Sequence, residues 1–285
     1  MGRIERGFRL ARASWEVLKA DRELMILPVV SFVATAIVAA SLFAVAWGTS
    51  GIPGDGKQPT VIHYVLLGIF YFLAYFIAIF CNAALVGAAT IRLNGGDPTV
   101  KDGLKIAASR IDKIIGWAAL AATVGLILRS LEEKAGFLGR IVIAIVGAAW
   151  SAVTFFVVPV LIYEDLGVVD SVKRSGSLFK QRWGEQFVGN ASIGIVIFLL
   201  VIPVAIVGYL LMQVVAVLGV VVLVLGIGAL TAAGGAMSGI FNAALYRFAT
   251  TGEAAGAFTA DDLRGSFRPR RGGRGIGGFG GPFGG

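Results

Sequence analysis

Residues 186–246 read QFVGNASIGIVIFLLVIPVAIVGYLLMQVVAVLGVVVLVLGIGALTAAGGAMSGIFNAALY, 61 positions without one Asp, Glu, Lys or Arg. A helix rises about 1.5 Å per residue, so about 20 apolar residues cross the hydrocarbon of a bilayer. This run is long enough for two or three crossings. Three more uncharged runs lie upstream: Leu24 to Gly54, Gln58 to Ile91 and Ile141 to Tyr163. Composition agrees, with 57% hydrophobic and 15% charged residues and a mean hydropathy of +0.84. Soluble domains carry about 25% charge. In hydrocarbon every backbone N–H and C=O needs a partner inside its own segment, which leaves helices or closed barrels. Uncharged runs this long lack a barrel's polar alternation, so the expected fold class is all-α, a polytopic membrane protein.

Six spans fit, at about 25–47, 62–92, 114–129, 139–163, 187–210 and 214–247. The third, between Lys113 and Arg129, is short and leans on flanking residues to reach both interfaces. The expected organisation is a cytoplasmic amphipathic helix over 1–24, a transmembrane domain over 25–250 and a disordered Gly/Arg-rich tail over 251–285. Charge settles the count and the orientation. With six spans, 21 of the 25 basic residues fall on one side. Only Lys57, Arg129, Lys134 and Arg140 lie opposite. The excess of Lys and Arg marks the cytoplasmic side, so both termini belong there and the location is a cell membrane. A third crossing within 186–246 would carry the Arg-rich tail across. The N-terminal region carries four acidic residues before a full-length apolar run, unlike a cleavable signal.

The chain repeats itself. An amphipathic segment precedes spans one, three and five. Ile4, Phe8, Ala11, Trp15 and Leu18 form the first apolar stripe, with Arg12, Glu16, Lys19 and Glu23 on another face. Leu104, Ala108, Ile111 and Ile115 form the second; Val172, Phe179, Trp183 and Phe187 form the third. Asp102-Gly103-Leu104-Lys105, Asp170-Ser171-Val172-Lys173 and Asp261-Asp262-Leu263-Arg264 share one pattern, whose Asp suits a helix cap. Spans two and six end in Phe80-Cys81-Asn82-Ala83-Ala84-Leu85 and Ile240-Phe241-Asn242-Ala243-Ala244-Leu245. Three copies of one unit are expected, each an interfacial helix followed by a transmembrane hairpin.

The opening Phe8-x-Leu10-x-x-x-Ser14-Trp15-x-x-Leu18-x-x-Asp21-Arg22-Glu23-Leu24-x-x-x-Pro28 resembles a family of prokaryotic multi-pass integral membrane proteins built on a domain of unknown function. The resemblance covers residues 1–250 and leaves the Gly-rich tail outside. It implies a helical membrane fold and brings no activity or catalytic residue with it.

No catalytic, cofactor-binding or metal site is expected, and so no enzyme. Ionisable residues at depth are the usual mark of chemistry in a membrane, and none lies near the centre of a span. Glu132-Glu133 has no histidines beside it. The one His, His63, starts span two, and Cys81 is alone. The polar positions that remain are Asn82 and Asn242, which in lipid seek a partner on another helix or coordinate a solute. Pro159 and Pro203 remove backbone donors; the freed carbonyls serve packing or line a cavity. Gly235, Gly239 and Ala243 make a small-residue stripe for another helix, within the chain or in a second copy. Trp15 and Trp183 suit the interface. Arginines in the tail are expected to meet anionic lipid of the inner leaflet rather than nucleic acid. The expected role is a non-enzymatic assembly or partner-binding membrane component, whose partner is a membrane protein or a second copy. The alternative is a permease or channel-like carrier for a neutral or lipid-like solute.

Overall fold

The computed structural model describes residues 3–50, 60–181, 186–259 and 263, with backbone alone for 3–7, 49–50, 181 and 186–192. Among them every regular element is a helix. In order these are α1 (Arg3–Ala20), a 3-10 turn (Arg22–Met25), α2 (Ile26–Ser50), α3 (Val61–Leu93), α4 (Val100–Ala108), α5 (Ile111–Lys134), α6 (Phe137–Val153), α7 (Val157–Tyr163), α8 (Val168–Gln181), α9 (Gln186–Val214) and α10 (Ala216–Thr251). Six helical stretches are long and apolar enough to cross a membrane: Arg22–Gly48, Val61–Leu93, Ile111–Lys134, Phe137–Tyr163, Ile193–Val214 and Ala216–Thr251.

The stretches depart by a few residues from the expected bounds, and in two of them the departure has a physical reason. The third stretch starts three residues earlier than expected and ends five later, because Asp112, Lys113 and the charges from Arg129 to Lys134 stay helical. At 24 residues it is about 36 Å long, enough to cross a bilayer without help from flanking residues. The fourth is not one rod: it breaks at Thr154–Phe156 between α6 and α7. Pro203, by contrast, sits inside an unbroken α9, and Pro28 lies in the first turn of α2.

The packed core gathers at one pole. Leu24 and Leu27 lead into and start α2, Ile114 is near the start of α5, and Ile193 is in the early part of α9. They join residues near the ends of α3 (Leu85, Ala89), α7 (Val160, Ile162) and α10 (Phe241, Leu245) in one buried cluster. Starts of odd stretches meet ends of even ones, so the helices alternate in direction. Toward the other pole the same helices expose Ile37, Phe43, Tyr64, Ile145 and Leu225, and α6 buries none of its residues. Hydrocarbon exacts no penalty for that exposure, because acyl chains are as apolar as leucine. α2 packs along α3 and α9 along α10, whereas α5 and α6 touch far less.

α1 lies over α9 and α10. Its buried residues are Leu10, Ala11, Ser14, Val17 and Leu18, while Phe8 is 48% and Trp15 41% exposed. The inward face is therefore rotated from the expected stripe. Ser14 is accommodated because its hydroxyl donates to Leu10 O at 3.1 Å. The second expected stripe is also corrected: Leu104–Ala108 and Ile111–Ile115 belong to separate helices. Gly103 and Ala107 are buried, and Ile111 and Ile115 are exposed. In α8 the buried side chains are Ser171, Ser175, Leu178 and Phe179. Trp183 and the side chain of Phe187 lie outside the described residues.

Asp102 is the third residue of α4 rather than its cap. Thr99 Oγ1 accepts from the Asp102 N–H, and Asp102 Oδ2 accepts from the Thr99 N–H at 3.0 Å, a reciprocal capping box. Glu23 Oε2 takes the next free N–H, that of Val100, at 3.0 Å. Asp170 is likewise third in α8 and pairs with Lys173 at 3.0 Å. Asp261 and Asp262 lie outside the described residues. After α10, Gly252 takes a left-handed conformation (φ 77°) that ends the helix. Phe258 and Leu263 are then buried again, Phe258 beside Phe241 with ring centroids 6.5 Å apart. Packing thus continues past the boundary set at residue 251.

Candidate functional site

Where α6 gives way to α7, the break in the helix and a proline each leave one backbone group without its ordinary partner. Pro159 has no N–H to offer the carbonyl of Phe155 four residues earlier. Asn242 of α10 donates to that carbonyl through Nδ2 at 3.2 Å. The Phe156 N–H, in the opening turn of α7, donates to Ser175 Oγ of α8 at 2.9 Å. Two expected residues, Asn242 and Pro159, thus meet at one joint. Asn82 is half-buried at the matching point of α3, and among the described residues no hydrogen bond joins it to Asn242. Asn242 Oδ1 and Ser171 Oγ are buried without a partner among the described residues.

One turn further, α7 ends at Glu164, whose carboxylate ties three helices together. It accepts from Arg174 Nε at 2.9 and 3.1 Å and from the Tyr246 hydroxyl at 3.0 Å. Tyr163 stacks on Tyr246, ring centroids 6.0 Å apart at 19°. The two tyrosines face an open hollow of about 320 Å³ between the ends of α3 and α10, also lined by Thr90, Asn94, Arg247 and Thr250. The hydroxyls of Thr90 and Thr250 fold back onto the carbonyls of Val86 and Tyr246 at 2.9 and 3.0 Å. They stand eight residues past Asn82 and Asn242, so the likeness between spans two and six extends to this wall. Arg247 is held by Asn94 and by Glu253.

Two acids outside the spans flank this seam. Asp165 receives Lys113 at 2.6 Å and Arg110 at 2.8 Å; the Lys113 bond first, then both charges, hold its carboxyl below the usual range. The pair is exposed and screened, so it adds little stability. Asp21 is 7% exposed, and burial pushes its carboxyl up. Its Oδ1 accepts from the Glu23 N–H at 3.2 Å, which with the nearby Arg92 opposes the rise, and its Oδ2 has no partner among the described residues. Sequence reasoning missed Tyr163, Tyr246, Glu164 and Ser175. The available signal was that Tyr163 and Tyr246 each end an uncharged run, and that Glu164 and Arg247 follow them, where charge first becomes affordable.

The small-residue stripe lies inside the chain: Gly235 faces Pro28 of α2 and Gly239 faces Leu85 of α3. Ala243 borders the open hollow. A different series on α10, Gly219, Gly226 and Gly234, admits α9, meeting Met212, Val204 and Ile197. At the far pole His63 Nδ1 accepts from the Thr60 N–H at 3.1 Å, capping α3. Trp15 lies on the outer surface of α1, with Lys19 Nζ 5.9 Å from its ring centroid.

No curated protein and no solved structure matches the chain. A family model does match, over residues 61–257, from the start of α3 past the end of α10. The opening motif around Ser14-Trp15 and Asp21-Arg22-Glu23 falls outside that stretch, so the covered part begins and ends later than the 1–250 expected. With more than half its length matched, the chain belongs to DUF6159, a family of unknown function.

Proposed function

We propose that this chain is a six-span, non-enzymatic membrane component that assembles with another membrane protein, with both described ends on the basic, cytoplasmic face. The alternation of helix directions supports six crossings as three hairpins. The positions of α1, α4 and α8 around the core pole support a set of interfacial helices there. One observation carries the functional reading. The polar groups at the α6–α7 joint are bonded mainly within the chain, Asn242 to Phe155, Ser175 to Phe156 and Glu164 to Arg174 and Tyr246. A solute path needs such groups facing open space; a scaffold needs them holding helices in register.

The test is a mass-spectrometric inventory of what leaves native membrane with the full chain under mild detergent. A membrane-protein companion in fixed proportion is the expected result. Recovery of the chain with lipid alone removes the proposal. Single cysteines along 72–84 and 232–244 separate it from the carrier alternative: uniform protection from a water-soluble thiol reagent is expected, and a reactive stripe at mid-depth favours a carrier.

A further inference from the structure

α1 borders a groove of about 380 Å³ formed with α9 and α10. Its walls are apolar: Phe8 and Ala11 from α1, Ile197 and Leu200 from α9, Ala233 and Met237 from α10. Arg12 and Trp15 also line it, and Arg12 is its one charged residue. A second hollow of about 430 Å³ shares Trp15 and adds Leu18, Lys19, Arg22 and Met25. Lys19 is engaged by Glu16 at 3.6 Å. Arg12 and Arg22 are exposed, and neither has an ion pair or hydrogen bond among the described residues. A guanidinium without a counter-charge beside an apolar slot asks for one ligand carrying both an anionic group and a hydrocarbon chain. A free phosphate would satisfy the arginines and leave the slot empty. An apolar partner helix would fill the slot and leave the arginines unpaired.

We infer that this surface is a binding site for an anionic phospholipid, with an acyl chain in the α1–α9–α10 groove and the phosphate at Arg12, while Arg22 adds positive charge from the adjoining hollow that shares Trp15. The inference rests on the proposed membrane orientation, which puts α1 at the inner leaflet, and is independent of any protein companion. The Trp15 ring, with an apolar body and an N–H, fits the depth where chain meets headgroup.

Native mass spectrometry of the full chain, in micelles holding equal phosphatidylglycerol and phosphatidylcholine of identical chains, tests it. The unmodified protein should retain phosphatidylglycerol over phosphatidylcholine by about tenfold. Arg12→Gln with Arg22→Gln should bring the ratio within about twofold, and Arg12→Lys with Arg22→Lys should keep most of it. Arg140→Gln, at the opposite pole, should change nothing. Ala233→Leu should lower retention of phosphatidylglycerol with both arginines in place, and inorganic phosphate should not displace the lipid. Equal retention of the two lipids by the unmodified chain overturns the proposal, as does a ratio indifferent to the double Gln variant. Displacement by inorganic phosphate overturns the acyl-chain half of it. The two exposed arginines hold nothing else, so matching melting curves should show the variants folded.

Discussion

Phe155 and Asn242 are 87 positions apart, yet one depends on the other because of a residue that touches neither bond directly. Proline at 159 deprives the Phe155 carbonyl of an N–H, and the amide of Asn242 takes its place. Leucine at 242 would leave that half-buried carbonyl unsatisfied, at a cost of about 1–3 kcal/mol. Alanine at 159 restores an N–H within reach of the same carbonyl. Asn242→Leu should therefore destabilise the chain in detergent melts, and Pro159→Ala should recover at least about 1 kcal/mol of that loss in the double variant. Strictly additive effects would mean that the proline and the asparagine are uncoupled. The sequence alone exposed both residues, since Asn and Pro stand out in uncharged text. It did not pair them, because a proline names the carbonyl it frees and not the side chain that will answer it.

Whole elements were legible wherever lipid leaves no choice, and faces were not. A run such as Gln186–Tyr246 must be helical, since hydrocarbon offers its backbone no other partner. Which side of a helix turns inward is another matter. Phe8 and Trp15 look like core by polarity and face outward; Ser14 and Asp21 look like surface and are buried. Where two helices approach closely the inward face is chosen by size, because only small residues let the backbones meet. α3 and α4 show this most clearly. Gly103 lies so close to α3 that a Cβ added there would sit 2.6 Å from Ala84 O and 3.2 Å from Ala88 Cβ. The obstacle is backbone and cannot swing aside. Gly103→Leu should lower stability by about 1–3 kcal/mol. Gly147→Ala on α6, where a Cβ meets nothing within 4 Å, should be neutral or gain up to about 1 kcal/mol of helix propensity. Equal thermal shifts for the two would show that α4 is not seated on α3 as described.

At the scale of the molecule, one pole combines the buried core, the polar seam and most of the basic residues, and the helices running to the other expose mainly apolar side chains before the few charges from Arg129 to Arg140. These features reinforce one another. In the proposed orientation water reaches the basic pole, so there the burial of Leu24, Phe241 or Leu245 gives a hydrophobic gain, about 1.5–3 kcal/mol for each side chain. Ion pairs such as Asp165 with Lys113 also persist there without the cost of full desolvation. Charge asymmetry and packing asymmetry thus fall at the same pole, the one that the proposed orientation turns to the cytoplasm. The sole cysteine, Cys81, is buried, so introduced cysteines can be read against a low background. A membrane-impermeant maleimide on intact cells should label Lys134→Cys, the last residue of α5, and spare Lys105→Cys in α4 until the membrane is opened. The difference should be at least about tenfold, because a bilayer that bars the reagent leaves only leakage to reach the inner site. The opposite pattern would invert the molecule, placing its basic pole outside. Labelling of both sites in intact cells would mean that the stretch from Ile111 to Lys134, helical and long enough, does not cross at all.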